Sequence, residues 1–185
     1  MSTGMNGKTT YRGRRLAGVL AAVISIAAFL APPATAETAI GNLGDTLHVD
    51  FDGIVADVTV HDVVPSDVPP GWTWSGSPRW RAQGPGVFKA NVTVHSIKVT
   101  NPYQLATAFT FAGVTPYADA YQSKHTDDPE ALEAKLLNAP AGSTVTGVVY
   151  WDVYRALVTN VVLLNPASGT HLGQWNIWQP GVPLP

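Results

Sequence analysis

The sequence predicts an all-β fold: an antiparallel β-sandwich with one short connecting helix. Three observations predict it. Apolar and polar residues alternate in run after run, the signature of strands buried on one face. Turn-forming Pro, Gly, Asn and Ser separate the runs. A single stretch carries helical spacing.

The first strand is expected at residues 43–51, where Leu43, Leu47, Val49 and Phe51 alternate with Thr46, His48 and Asp50, and Asp45 interrupts the apolar series. In the second, Ile54, Ala56, Val58 and Val60 stand opposite Asp57, Thr59 and His61, and the run ends in the Pro-rich stretch 64–71. Across residues 87–99, Phe88, Ala90, Val92 and Val94 alternate with Lys89, Asn91, Thr93 and His95, after which Ile97 and Val99 take the opposite phase. A phase change inside a strand predicts a β-bulge. Further strands are expected at 105–112, 143–154, 156–164 and 172–178, punctuated by Asn101-Pro102, Pro140-Ala141-Gly142, Asn165-Pro166 and Ser168-Gly169. Seven or so short strands make a sandwich.

The helix is expected at residues 129–137. Asp128 can cap it, Pro129 suits its first turn, Glu130 and Glu133 favour its positive end, and Leu132 and Leu136 stack four residues apart. One such helix cannot build a parallel βαβ core, so it crosses one end of the antiparallel layers.

Charge and leader divide the chain. Residues 1–36 hold four basic residues (Lys8, Arg12, Arg14, Arg15) and no acid, whereas the remainder carries seven basic and thirteen acidic residues, a net −6. An acidic body is unsuited to binding a phosphate backbone or an anionic membrane surface, so nucleic acid is excluded as a partner class. The leader reads as an export signal: basic residues to Arg15, an apolar run of sixteen residues (16–31), then Pro32-Pro33 and the small residues Ala34-Thr35-Ala36. The run is short of the ~18 to 20 residues of a bilayer helix, so no stable membrane anchor is expected. Cleavage is placed after Ala36, leaving 37–185 as a single secreted, extracellular domain. Arg14-Arg15 is followed by Leu16-Ala17-Gly18, which favours the general secretory route over the twin-arginine one. The chain has no cysteine, which excludes lipid attachment to a thiol, disulfide scaffolds, thiolate metal sites and thiol catalysis. A domain near 150 residues buries roughly 68 to 70% of its unfolded surface and folds without cross-links.

Four segments together carry a resemblance. Gly41-Asn42-Leu43-Gly44, the strand Val87-Phe88-Lys89-Ala90-Asn91-Val92-Thr93-Val94, Gly147-Val148-Val149-Tyr150-Trp151-Asp152-Val153, and the closing Trp175-Asn176-Ile177-Trp178-Gln179-Pro180 resemble the mycobacterial immunogenic secreted antigen family over about residues 40–180. The resemblance implies an immunoglobulin-like antiparallel sandwich, exported as an extracellular protein, in a family that provokes immune responses and has no established biochemical activity. The matching positions are strand aromatics and aliphatics, and the segment 72–81 and the tail after Trp178 match less well. No catalytic residue is carried across.

Among candidate functional residues, Trp72, Trp74 and Trp80 cluster beside Pro69-Pro70-Gly71 and Arg79. Such rings either close the end of the sandwich or present aromatic faces to a sugar, an apolar ligand or a partner protein. His48, Asp50 and Asp52 fall on one strand face and Asp57 and His61 on the next. Imidazoles and carboxylates ligate metals, but a solvated sheet face requires the same polar period, and no His-x-His pair strengthens the metal reading. No metal or cofactor is therefore expected. The serines occupy no Gly-x-Ser-x-Gly turn, and Asp127-Asp128 with Glu130 and Glu133 suits a helix start better than a glycosidase cleft. No catalytic residue is assigned and no enzymatic activity is expected. The sequence thus points to a secreted, monomeric, antigen-like protein that binds host or cell-envelope proteins, the alternative being a carrier of a small ligand, a glycan or a metal.

Overall fold

The computed structural model describes residues 38–75 and 84–177. Ten strands and two short helices occur among them: β1 (Ala39–Asn42), β2 (Thr46–Phe51), β3 (Ile54–Val60), β4 (Val64–Pro65), β5 (Gly86–Lys98), α1 (Gln104–Ala108), β6 (Thr110–Val114), β7 (Ala120–Gln122), α2 (Leu132–Leu136), β8 (Thr144–Val153), β9 (Asn160–Leu164) and β10 (His171–Asn176). The leader 1–36, Arg79, Trp80 and Trp178 lie outside the described residues.

The strands form two sheets packed as an immunoglobulin-like sandwich. One has the order β1-β10-β9-β6-β7; the other runs β2-β3-β5-β8, with β4 extending the β3 side of β5. Every pairing is antiparallel except that of β1 with β10, which is parallel. The first strand is not continuous from residue 43. Leu43-Gly44 is a turn in which Gly44 adopts φ +89° and the Asp45 carboxylate accepts the Asn42 N–H at 2.7 Å. The chain there leaves one sheet and enters the other, so the Asp45 interruption in the apolar series marks a crossing.

The period-two residues of both sheets meet between the layers. Ala56, Val58 and Val60 of β3, Ala90, Val92 and Val94 of β5 and Trp151 and Val153 of β8 are all fully buried. They pack against Phe111, Val161, Leu163 and Trp175 of the other sheet. The two core tryptophans use their polar edges across the layers. Trp151 Nε1 donates to the Phe111 carbonyl at 3.1 Å and Trp175 Nε1 to the Asp45 carbonyl at 2.9 Å, which satisfies the indole N–H that burial would otherwise strand. The bulge is present: Ala56 faces Ser96 and Val55 faces Lys98, leaving Ile97 as the extra residue, 43% exposed.

Three further element boundaries depart from the sequence expectation. The strand expected at 105–112 begins as helix α1, because the Asn101 side-chain oxygen accepts the Tyr103 N–H and its carbonyl accepts the Gln104 N–H, starting a turn that Gln-Leu-Ala-Thr-Ala readily continues. The backbone extends again only at Phe109. The helix expected at 129–137 is shorter, since the Glu130 carbonyl accepts the Val148 N–H and Ala131 bridges Val148 before the chain coils. The strand expected at 156–164 starts at Asn160. The preceding loop is held by the Tyr121 hydroxyl, which accepts the Arg155 and Ala156 N–H groups and donates to the Ala156 carbonyl.

Candidate functional site

Along β8 the alternation of burial lapses after Val149. Val149, Trp151 and Val153 face the core, yet Tyr150 and Asp152, on the opposite face, are buried as well, at 5% and 3% exposure. Two segments cover that outer face: the loop entered at Ser66 and the link between β7 and α2. The two are tied to each other where the Asp127 N–H donates to the Pro70 carbonyl at 2.9 Å, and the second is tied to β8 where the Lys124 N–H donates to the Tyr150 carbonyl at 2.9 Å. Gly71 sits at φ +71°, and a Cβ there would lie 2.4 Å from an Asp127 carboxylate oxygen, so both the turn and the close approach require glycine. The far end of the loop is fixed where the Ser75 N–H donates to Asp152 Oδ2.

Between these ties lie two of the four singled-out residues. Trp72 is half-buried against Tyr150, ring centroids 6.5 Å apart and planes at 74°. Trp74 stacks edge-on to Trp72 at 5.9 Å and 86° and is 42% exposed. Trp72 thus packs over the outer face of β8, and Trp74 packs edge-on against it, partly exposed. The perpendicular planes do not form one flat platform. Trp72 Nε1 is buried and finds no hydrogen-bond partner among the described residues.

Beneath the tryptophans, the Tyr150 hydroxyl donates to Asp128 Oδ2, and the other Asp128 oxygen accepts the Glu130 N–H at 2.9 Å. These two bonds hold the Asp128 carboxyl below its ordinary range. Burial, and then the bond to Asp128, pushes the Tyr150 phenol well above its ordinary value. Asp128 does not cap α2, whose N-cap is Ala131 with no side-chain hydrogen bond; its carboxylate instead closes an Asx turn on Glu130, ahead of the helix, and holds the tyrosine. Sequence reasoning did not single out Tyr150 or Asp152. Their signal was the phase of the β8 alternation, which places a tyrosine and an acid on the face away from Val149, Trp151 and Val153.

The proposed metal-type residues do not converge. His48 Nδ1 is 2.7 Å from Asp57 Oδ1, whereas His61 Nε2 turns to Thr93 Oγ1 at 2.8 Å and His95 Nδ1 to Thr144 Oγ1 at 2.9 Å. Asp52 lies in the two-residue β2–β3 turn with Gly53, both at positive φ. Among the described residues no three of His, Asp and Glu are placed to hold a metal ion. With the rank Thr46, Thr59, Thr93 and Thr146, linked in pairs at 2.8 and 2.9 Å, this face reads as a sheet surface of cross-strand pairs. Among the described residues, a recess of about 250 Å³ opens beneath α2, with Phe111 of one sheet and Val149 of the other in its lining, and one of about 270 Å³ opens beside Ser75, Lys124 and Asp152.

No protein-family model matches the chain, and no curated protein matches it. Among solved structures, the chain is similar to MPT63, a secreted protein from Mycobacterium tuberculosis, with a TM-score of 0.58 and 24% identity over 77% of this chain and 99% of that one. At this identity the likeness establishes a shared fold. Weaker matches are the yjhA protein from Bacillus subtilis (TM-score 0.45, 13% identity, 75% and 99% coverage) and an uncharacterized β-sandwich protein from Clostridium difficile (TM-score 0.43, 10% identity, 77% and 95% coverage).

Proposed function

We propose that the chain is an exported extracellular β-sandwich that binds a protein partner, with the Trp72–Trp74 loop as the centre of the contact, and that it is not an enzyme. The observation that carries this reading is Trp74: a large ring 42% exposed, braced by Trp72 and Tyr150 on a loop tied down at both ends. A ring held in this way loses little conformational freedom on binding, and tryptophan is the residue most enriched at the energetic centre of protein interfaces. Export is supported by the layout of residues 1–36 and agrees with the secreted character of MPT63. Among the described residues no helix is long and apolar enough to cross a membrane. Kinship with the secreted antigen family, and with it contact between bacterium and host, belongs to the same proposal.

The test is recovery of partners from host extract and from the producer's envelope by residues 37–185 and by its Trp74→Ala variant. A protein retained by the former and lost at least tenfold by the latter, with both variants equally stable, is expected. Identical retention by the two proteins contradicts the assignment of the surface.

A further inference from the structure

We propose that the recess beneath α2, separate from the tryptophan loop, binds a small neutral ring-bearing alcohol or phenol. Its floor is apolar: Phe111, Leu132 and Leu136 are at most 2% exposed, and Phe109 and Val149 are buried beside them. Val149 points into it while the next residue, Tyr150, points to the tryptophans, so β8 separates the two places. One wall carries Thr110 Oγ1 and Ser123 Oγ, 3.1 Å apart. His125 and Glu133 stand at the mouth, Nδ1 to Oε2 3.2 Å, both largely exposed.

Size and chemistry narrow the occupant. An apolar cavity of about 150 Å³ holds a benzene ring; the recess measures about 250 Å³, which admits such a ring with a short substituent. It is too small for the ligands that fill pockets of about 300 to 1,000 Å³. When two hydroxyls bond to each other, one hydrogen and several lone pairs stay unspent, so the Thr110–Ser123 pair can both donate to and accept from a ligand hydroxyl. A purely apolar ligand would desolvate that pair without replacing its water. The apolar floor offers nothing to a buried charge of either sign. A neutral hydroxyl on a ring satisfies these conditions.

The test titrates the 37–185 protein with benzyl alcohol and with ethylbenzene, which has nearly the same shape and no hydroxyl, following amide NMR shifts at Thr110 and Ser123. The Trp151 indole N–H, bonded to the Phe111 carbonyl at 3.1 Å, reports from below the floor. Saturable shifts at these positions are expected, with benzyl alcohol bound about tenfold more tightly. Ser123→Ala should erase most of that preference and leave ethylbenzene unchanged. Ala106→Leu, which fills the recess from α1, should weaken both at least tenfold; Ser123→Ala alone decides the matter if that variant fails to fold. Absence of saturable shifts, equal affinity for the two probes, or a preference that survives Ser123→Ala overturns the proposal.

Discussion

Trp151 joins the layers twice over, filling the core with its ring and bonding the opposite sheet with its N–H. Trp151→Ala is expected to lower unfolding free energy by about 3–5 kcal/mol, the cost of emptying an aromatic site; denaturant titration gives the value. Tyr150 and Asp128 give a pH prediction. Asp128 has its pKa lowered by folding, so its contribution is present above the unfolded value, about 3.9, and is lost as pH falls through the folded one. Tyr150 has its pKa raised, so its contribution is present below about 10 and declines as pH rises beyond that. Thermal melts of Asp128→Asn should show a flatter acid limb, and Tyr150→Phe should flatten both limbs at a neutral-pH cost of about 1 kcal/mol. Unchanged limbs would mean that the pair does not titrate with folding. Neither partner was legible as such: Asp128 read as a helix cap and Tyr150 as a strand aromatic, because a hydrogen bond spanning 22 residues leaves no local pattern.

At the scale of elements, α2 lies directly on β8 at Gly147, where a Cβ would be 2.6 Å from Leu132 Cα and 3.0 Å from the Glu130 carbonyl oxygen. Gly147→Ala should push the helix away, costing about 1–3 kcal/mol as overpacking does. It should also speed exchange of the Val148 N–H, which bonds Glu130; a stable variant with unaltered exchange would refute so close a contact. The strands that alternate cleanly, β2, β3 and β5, were legible, as was the bulge at Ile97, because one face of each meets the core and the other is more open to water; β8 was legible from its apolar series although its outer face is partly covered. β1, β4 and β7 were not, being two to four residues long and placed by pairing with distant strands. α1 was misread because Leu105 and Phe111 fit a strand period. The distinguishing cue, Asn101 turning the chain at Tyr103, is a side-chain bond that hydropathy does not register.

For the whole molecule, the sandwich follows from composition and period, whereas the proposed function rests on a loop. Trp72 and Trp74 stood out in the sequence, but which ring would be covered depended on Tyr150 beneath and on the ties at Pro70 and Ser75. Export makes its own prediction: secreted protein should begin at Glu37, as terminal sequencing would read, and a retained leader would contradict it. The binding role is tested most directly by a photo-crosslinking residue at Thr73, which is exposed between the two tryptophans, with a control at exposed Ser168. A discrete protein adduct from host or envelope material is expected at Thr73, absent at Ser168 and lost with Trp74→Ala. Adducts equal at both positions, or none from either source, would contradict a partner-binding loop.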